Sequence, residues 1–398
     1  MDLEKEVRAL YLNNRRIKDG YQFTVPSPGT YPYQWMWDSC FHAIVLSHFD
    51  PESAKKELFS LLSRQLPDGM VPHVIFWKQG LIRPYEWGWG KDDIGSITQP
   101  PMLAYAAWEI HRREPDGAFL EKIYPQLLAY YKFLIEKRDP RDHHLIGIVN
   151  PDESGEDNSP RFDDALGVKS DISFVDHYLR RHKLVDQNRK CNFDAELCMS
   201  QTFWVKDVPF NAILIHNLQV LSHIASFLGH KAGEHFAEQN HQLIKTAMRE
   251  YLFKDGVYWS SYDYDYKPLK VATWAHFAPL FADLYTQEEA QKVVDMHFKN
   301  EETFHAPYGI RTVSKQEPSY RANQFWRGPV WFAPHWFMYK GLRAYGFKEE
   351  ARFLRNANLT LLKQNGFREY FNPETGKGLG AKDFTWGTLT LDMLDDDI

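Results

Sequence analysis

The chain has 398 residues and a formal net charge of −6, with 47 basic and 53 acidic side chains. That mixed balance lacks the basic footprint of a nucleic-acid-binding protein. No apolar run reaches the length of about eighteen residues that a membrane helix requires. The expected partner is a small molecule, neither nucleic acid nor membrane. The N-terminal "MDLEKEVRALYLNNRR" lacks the apolar core of a signal peptide. Three cysteines, Cys40, Cys191 and Cys198, form an odd, sparse set without CxxC spacing. This predicts reduced thiols and a cytoplasmic location. Cys191 and Cys198 have no His cluster to complete a metal site, so neither metal nor cofactor is expected. No Gly/Ser linker divides the chain, which predicts one domain over 1–398. Nothing in the sequence specifies an oligomeric state.

Along the chain, helices alternate with loops. "DLEKEVRALYLNN" places Leu3, Val7, Leu10 and Leu12 at near-helical spacing. "DSCFHAIVLSHF" and "PESAKKELFSLLSRQL" read as a helix pair, with Pro51 suited to the first turn of the second. "TQPPMLAYAAWEIHRRE" with "DGAFLEKIYPQLLAYYKFLIEKR" makes another pair. "VPFNAILIHNLQVLSHIASFLG" with "KAGEHFAEQNHQLIKTAMREYL" follows, with Gly229 as a stop. "ATWAHFAPLFADLY" with "QEEAQKVVDMHF", then "GPVWFAPHWFMYKGLRAYG" with "KEEARFLRNANLTLLKQNG", complete the series before a last helix, "TWGTLTLDML". Each pair joins one apolar helix to one amphipathic helix and is followed by a longer loop. The pattern predicts an all-α protein, an alpha/alpha barrel with buried inner helices, half-exposed outer ones and long rim loops. "GVYWSSYDYDYKPLKV" and "HHLIGIVNPD" are candidates for short strands.

The chemistry sits in the loops. Aromatic residues make up 15% of the chain, with 13 Trp, and many lie beside Gly, Pro and polar residues instead of in periodic core runs. Such placement suits stacking on sugar rings. "YPYQWMWDSCFHA" presents Tyr31, Trp35, Trp37 and Asp38 before a helix. Asp38 is either a helix N-cap or a carboxylate accepting substrate hydroxyls, or both. "PYEWGWGKDDIGSITQPP" adds Trp87, Trp89, Asp92, Asp93 and Gln99, the last at a helix start. "NQFWRGPVWF" adds Trp326, Arg327 and Trp331; Arg327 either holds a carboxylate or is structural. "FREYFNPETGKGLGAKDFTWG" sets Glu369 among aromatics, where desolvation shifts a pKa. "PDESGEDNSPRFDD" holds six acids that read either as a solvated loop or as the source of a catalytic acid. No HExxH, phosphate-binding loop or GxSxG elbow is present. Carboxyls, amides and Trp on loops are the kit for glycoside hydrolysis.

"WDSCFHA", "ESGEDNSPRF", "FWRGPVW" and "EYFNPETGKGLGAKDFTW" occur in the order of motifs of glycoside hydrolase family 63. The chain resembles the bacterial mannosylglycerate and glucosylglycerate hydrolases of that family and, more distantly, the trehalases of family 37. The resemblance spans roughly residues 30 to 390. It implies an (α/α)6 barrel and inverting, exo-acting hydrolysis of a small α-glucoside or α-mannoside. It implies Asp157 as general acid and Glu369 as general base. It also implies a sugar pocket of Tyr31, Trp35, Trp37 and Asp38, a hydroxyl contact from Gln99, and Trp326, Arg327 and Trp331 as the wall near the leaving group. Glu153 and Glu156 are candidate neighbours for shaping the acid's pKa, while Asp163 and Asp164 read as solvated.

The sequence departs from the glycerate-cleaving members in carrying Phe325 for Tyr and Asp152 for Trp. It also shows no obvious match before Arg180 for an Arg that helps hold glycerate. These departures predict a neutral leaving group, with the glycerate glycosides as the alternative. Two other classes compete: a sugar epimerase or isomerase, for which His73, His276 and His305 show no paired motif, and a non-catalytic sugar-binding protein.

Overall fold

The structure, a computed structural model, describes residues 2–77, 89 and 93–395. Helix α1 (Leu3–Asn14) starts on an Asp2 cap and buries Leu3, Val7 and Leu10; Leu12 lies on its exposed face. A hairpin pairs Arg15–Lys18 with Tyr21–Thr24. Then come α2 (Met36–Leu46) and α3 (Pro51–Leu62), the latter with Asp50 as N-cap and Pro51 in the first turn. Next are α4 (Leu103–Arg113) and α5 (Gly117–Lys137). Past a loop containing the short α6 (Asp163–Leu166) lie α7 (Phe174–Lys190) and α8 (Ala195–Gln201). The chain continues through α9 (Val208–Leu228), α10 (Lys231–Ala247), α11 (Ala278–Phe281) and α12 (Gln287–Val293). It ends with α13 (Phe332–Ala344), α14 (Lys348–Asn365) and α15 (Leu389–Asp395).

Helices α2, α4, α9, α11, α13 and α15 each pack on the next, and α15 returns to α2. This closed inner ring is why α2 is buried along its whole length and α9 and α13 nearly so. The outer helices bury only a stripe. In α10 the buried residues are Gly233, Ala237, His241, Ile244 and Ala247, at steps of three and four. The sixth outer position is filled from the other end of the chain: α1 packs against α15. The architecture is an (α/α)6 barrel.

Asp392 on α15 fastens the ring. Its carboxylate meets His48 at 2.9 Å, Arg113 at 3.1 Å and Lys340 at 2.9 Å, and accepts from the Trp336 indole at 2.8 Å. Burial alone raises its pKa, but Lys340 and His48 outweigh it and hold the carboxyl well below its ordinary range.

Several expected elements differ. The inner helix of the fourth pair is broken into a short 3-10 turn, Trp274–His276, and the one-turn α11; Pro279 lies in its first turn, and Asp283 follows in a left-handed conformation. "HHLIGIVNPD" forms no strand, only a bridge between Ile148 and Val205. "GVYWSSYDYDYKPLKV" does contribute short strands, Val257–Tyr258, Ser261–Tyr262 and Lys267–Pro268. "KCNFDAELCMSQ" contains α8. Cys191 and Cys198 are joined as a disulfide, not reduced: the turn between α7 and α8 brings their Cα atoms to 5.6 Å, within bridging range. Cys40 is the free, buried thiol.

Candidate active site

The acidic stretch is a tightly built loop. Asn150 caps a 3-10 turn, Pro151–Ser154, by accepting from the Asp152 amide at 3.1 Å. Gly155 ends the turn at φ +72°, and a Cβ there would lie 2.2 Å from the Trp37 ring. Only glycine meets both demands. Glu153 is paired with Arg138 at 2.7 and 2.8 Å, both groups buried. Glu156 is paired with Arg161 at 2.6 and 2.9 Å and accepts from the Trp274 indole at 2.7 Å. Arg161 in turn holds Asp207, the cap of α9. Two buried, bidentate ion pairs therefore clamp the loop on either side of Gly155. Asp163 is also buried, and it binds Arg327 at 2.7 and 3.0 Å. Arg327 thus secures this loop and does not line the cavity described below. Asp164 is the exposed acid of the set.

Glu369 is presented differently. It lies on the strand Arg368–Phe371, paired with Gly378–Lys382, where the register shifts between Arg368 and Tyr370. Such a bulge re-aims a side chain. The carboxylate turns back onto its own hairpin and accepts from the Ala381 amide at 2.7 Å, while Tyr31 donates to its other oxygen at 2.7 Å. A Cβ on Gly380 would stand 2.2 Å from that carboxylate, so glycine clears the space it occupies.

Asp157 and Glu369 line one cavity of about 300 Å³. Tyr31, Trp35, Trp37, Asp38, Gln99, Trp326 and Trp331 line it too. Trp326 and Trp331 stack at 3.9 Å, and the Trp331 indole donates to the Phe325 carbonyl at 3.0 Å. Asp38 lies within α2, not at its cap, and accepts from the Trp386 indole at 2.7 Å. Gln99 lies in the loop before α4, four residues short of the helix start expected for it, and its carbonyl accepts from the Trp37 amide at 3.2 Å. Trp87 and Asp92, in the "WGWGKDD" stretch, lie outside the described residues. Trp89 is buried beside His73.

The cavity also receives residues that the sequence did not single out: Phe174, Tyr178 and Arg181 from α7, with Phe384 and Trp386. The cation that reaches the cavity from this stretch is Arg181, while Arg180 donates to the Leu166 carbonyl at 2.8 Å. Arg181 meets Asp152 at 2.9 Å and is in close contact with Asp157. Burial pushes Asp157 up to about 6, opposed by Arg181 and reinforced by Asp152. Burial also pushes Glu369 up to about 7, against the Tyr31 and Ala381 hydrogen bonds. Asp38 is raised to about 6 by burial, opposed by His42. His73, His276 and His305 are absent from the cavity lining; burial holds His73 and His276 neutral, each near 3.

Residues 31–387 match the family model described as a mannosylglycerate hydrolase MGH1-like glycoside hydrolase domain. The chain belongs to this glycoside hydrolase family. It is 33% identical to a mannosylglycerate hydrolase of Thermus thermophilus, over 96% of this chain and 97% of the relative. It is 29% identical to a glucosylglycerate hydrolase of Mycolicibacterium hassiacum, over 97% of each. The crystal structure of a family 63 mannosylglycerate hydrolase from Thermus thermophilus, in complex with Tris and D-glycerate, superposes with a TM-score of 0.91 at 32% identity. It covers 99% of this chain and 100% of that one. The protein is a glycoside hydrolase of family 63 on an (α/α)6 barrel. Among the described residues no helix is long and apolar enough to cross a membrane.

Proposed function

We propose that the protein hydrolyses a small α-mannoside or α-glucoside with inversion, Asp157 acting as general acid and Glu369 as general base. The observation that carries this reading is the meeting of the two carboxyls, from a clamped loop and a bulged hairpin, in one small aromatic cavity. Glu369 takes a proton from a water that attacks the anomeric carbon. Asp157 gives its proton to the glycosidic oxygen as that bond breaks. Inversion needs room for the water, a carboxyl separation of about 6.5–9.5 Å. The indoles of Trp35, Trp37, Trp326 and Trp331 offer flat faces to the sugar, and Asp38 and Gln99 offer acceptors to its hydroxyls. A cavity of about 300 Å³ suits one terminal sugar with a small aglycone, not a polymer.

The names of the relatives make α-mannosylglycerate and α-glucosylglycerate the first substrates to test, and Arg181 supplies a cation for a carboxylate. A neutral aglycone is the second reading. It is favoured by the pairing of Arg181 with Asp152 and by Phe325, which offers no hydroxyl. Both glycerate glycosides, their glycerol counterparts and neutral α-disaccharides should be assayed together, with NMR detection of the anomer first formed. The β anomer first is expected; the α anomer first would refute inversion. Cleavage confined to neutral substrates would select the second reading.

A further inference from the structure

Arg181 is the unusual group in this cavity. A single nitrogen, Nη1, serves two carboxylates, with Asp152 at 2.9 Å and Asp157 in closer contact. Both carboxylates line the cavity, but Asp152 is the more deeply buried, its side chain 9% exposed against 21% for Asp157. A guanidinium held this way favours the ionised form of Asp157. That is the wrong form for a group that must donate a proton. Asp157 is also faced by His177 from α7, by Glu369 from the hairpin and by Tyr31. Arg181 is the fully charged cation among them.

We infer that Arg181 is a positioning residue that restrains Asp157 in the empty cavity and is drawn onto an acceptor oxygen of the aglycone when substrate binds, so that the leaving group arms its own acid. This deepens the proposed assignment of Asp157 and rests on it. The geometry permits the exchange because Arg181 can give up Asp157 while keeping Asp152. Once released, the Asp157 carboxylate takes a proton from solvent. It passes that proton to the glycosidic oxygen as the bond to the anomeric carbon breaks, and Glu369 takes one proton from the attacking water. Asp157 is then a carboxylate again and re-pairs with Arg181 as the aglycone leaves. Substrates whose aglycone offers an acceptor gain in turnover, a carboxylate more than a hydroxyl, because it competes better for the guanidinium.

The test is a set of pH–rate profiles on α-mannosylglycerate and its glycerol counterpart. kcat/KM reports the free enzyme and kcat the bound complex. Loss of the acid's proton sets the basic limb. In wild type the basic limb of kcat should lie about one pH unit or more above that of kcat/KM, with a wider gap for the glycerate glycoside. Arg181→Met should close the gap by raising the kcat/KM limb, and Arg181→Lys should narrow it. Asp152→Asn should lower the kcat/KM limb, because Asp152 then no longer competes with Asp157 for the cation. For variants too slow to assay, the Asp157 carboxyl is titrated by 13C NMR with and without glycerate or glycerol. Glycerate should raise its titration point in wild type but not in Arg181→Met. Coincident limbs in wild type, or an unchanged gap in Arg181→Met, would overturn the inference. Full glycosidase activity in Asp157→Asn would instead remove the acid assignment itself.

Discussion

The two carboxyls of the cavity are held by opposite devices. Glu369 is fixed by neutral donors, the Tyr31 hydroxyl and the Ala381 amide, on a bulged hairpin whose Gly380 makes the room. Asp157 is held by a cation that it shares with Asp152, carried on a helix with one solvent-facing side. A base must be ready before substrate arrives, and short neutral hydrogen bonds keep it aimed without fully suppressing its basicity. An acid must hold a proton, which a neighbouring guanidinium discourages. With Glu369 as the proposed base and Asp157 as the proposed acid, the base side is preformed and the acid side conditional.

The largest expected effect separates the sides by leaving group. Glu369→Gln should lower kcat by about 10²–10⁴-fold on every substrate. Asp157→Asn should do so only on glycosides, and retain most activity on a glycosyl fluoride, whose leaving group needs little protonation. Equal losses on both substrates would erase the comparison. Next, Asp392→Ala perturbs the frame and neither side. Removing one partner from that buried cluster should cost about 3–5 kcal/mol, read as a lower Tm, with the pH–rate limbs unmoved. The folded pKa of Asp392 lies below its unfolded value. Its stabilisation is therefore complete above the unfolded value and is lost as pH falls through the folded one. The variant's Tm should accordingly fall less steeply on acidification.

Gly155→Ala strikes the acid side alone. The new methyl meets Trp37 and the backbone is strained, so the loop must shift. A displacement near 1 Å would cost about 10²-fold in kcat, with the acidic limb set by Glu369 in place. Tyr31→Phe is the mildest. It removes a hydrogen bond that favours ionised Glu369, so the acidic limb should move to higher pH while the basic limb stays. An acidic limb that moves down would contradict the assigned donor.

Much of this was legible in the sequence. Alternating apolar and amphipathic helices announce a helical barrel, and Tyr31 and Asp157 stand in loops between them, while Trp37 lies in the first turn of α2 and Glu369 on a short strand. Helix α7 was missed because its buried face is largely polar, His177, Arg181, Leu184, Val185 and Asn188, so it carries no apolar stripe. Arg181 was missed with it, since the sequence shows no obvious match for such a cation before Arg180. Arg327 was misplaced because nothing in "FWRGP" says that its partner is Asp163, 164 residues away. The cysteine pair was misread because its spacing carries no motif, while the turn between α7 and α8 makes the bridge.

Except for the broken fourth inner helix, the inner and outer helices, the aromatic segments and Asp157 and Glu369 were legible in the sequence, because each is a local matter of periodicity, turn chemistry and motif. Only the tertiary structure decided which acids face the cavity. Glu153, Glu156 and Asp163 are withdrawn into buried ion pairs with Arg138, Arg161 and Arg327, while Asp157 and Asp152 share Arg181. In a stretch of six acids the sequence fixes no partners; charge pairing does, because a buried carboxylate persists only beside its counter-ion.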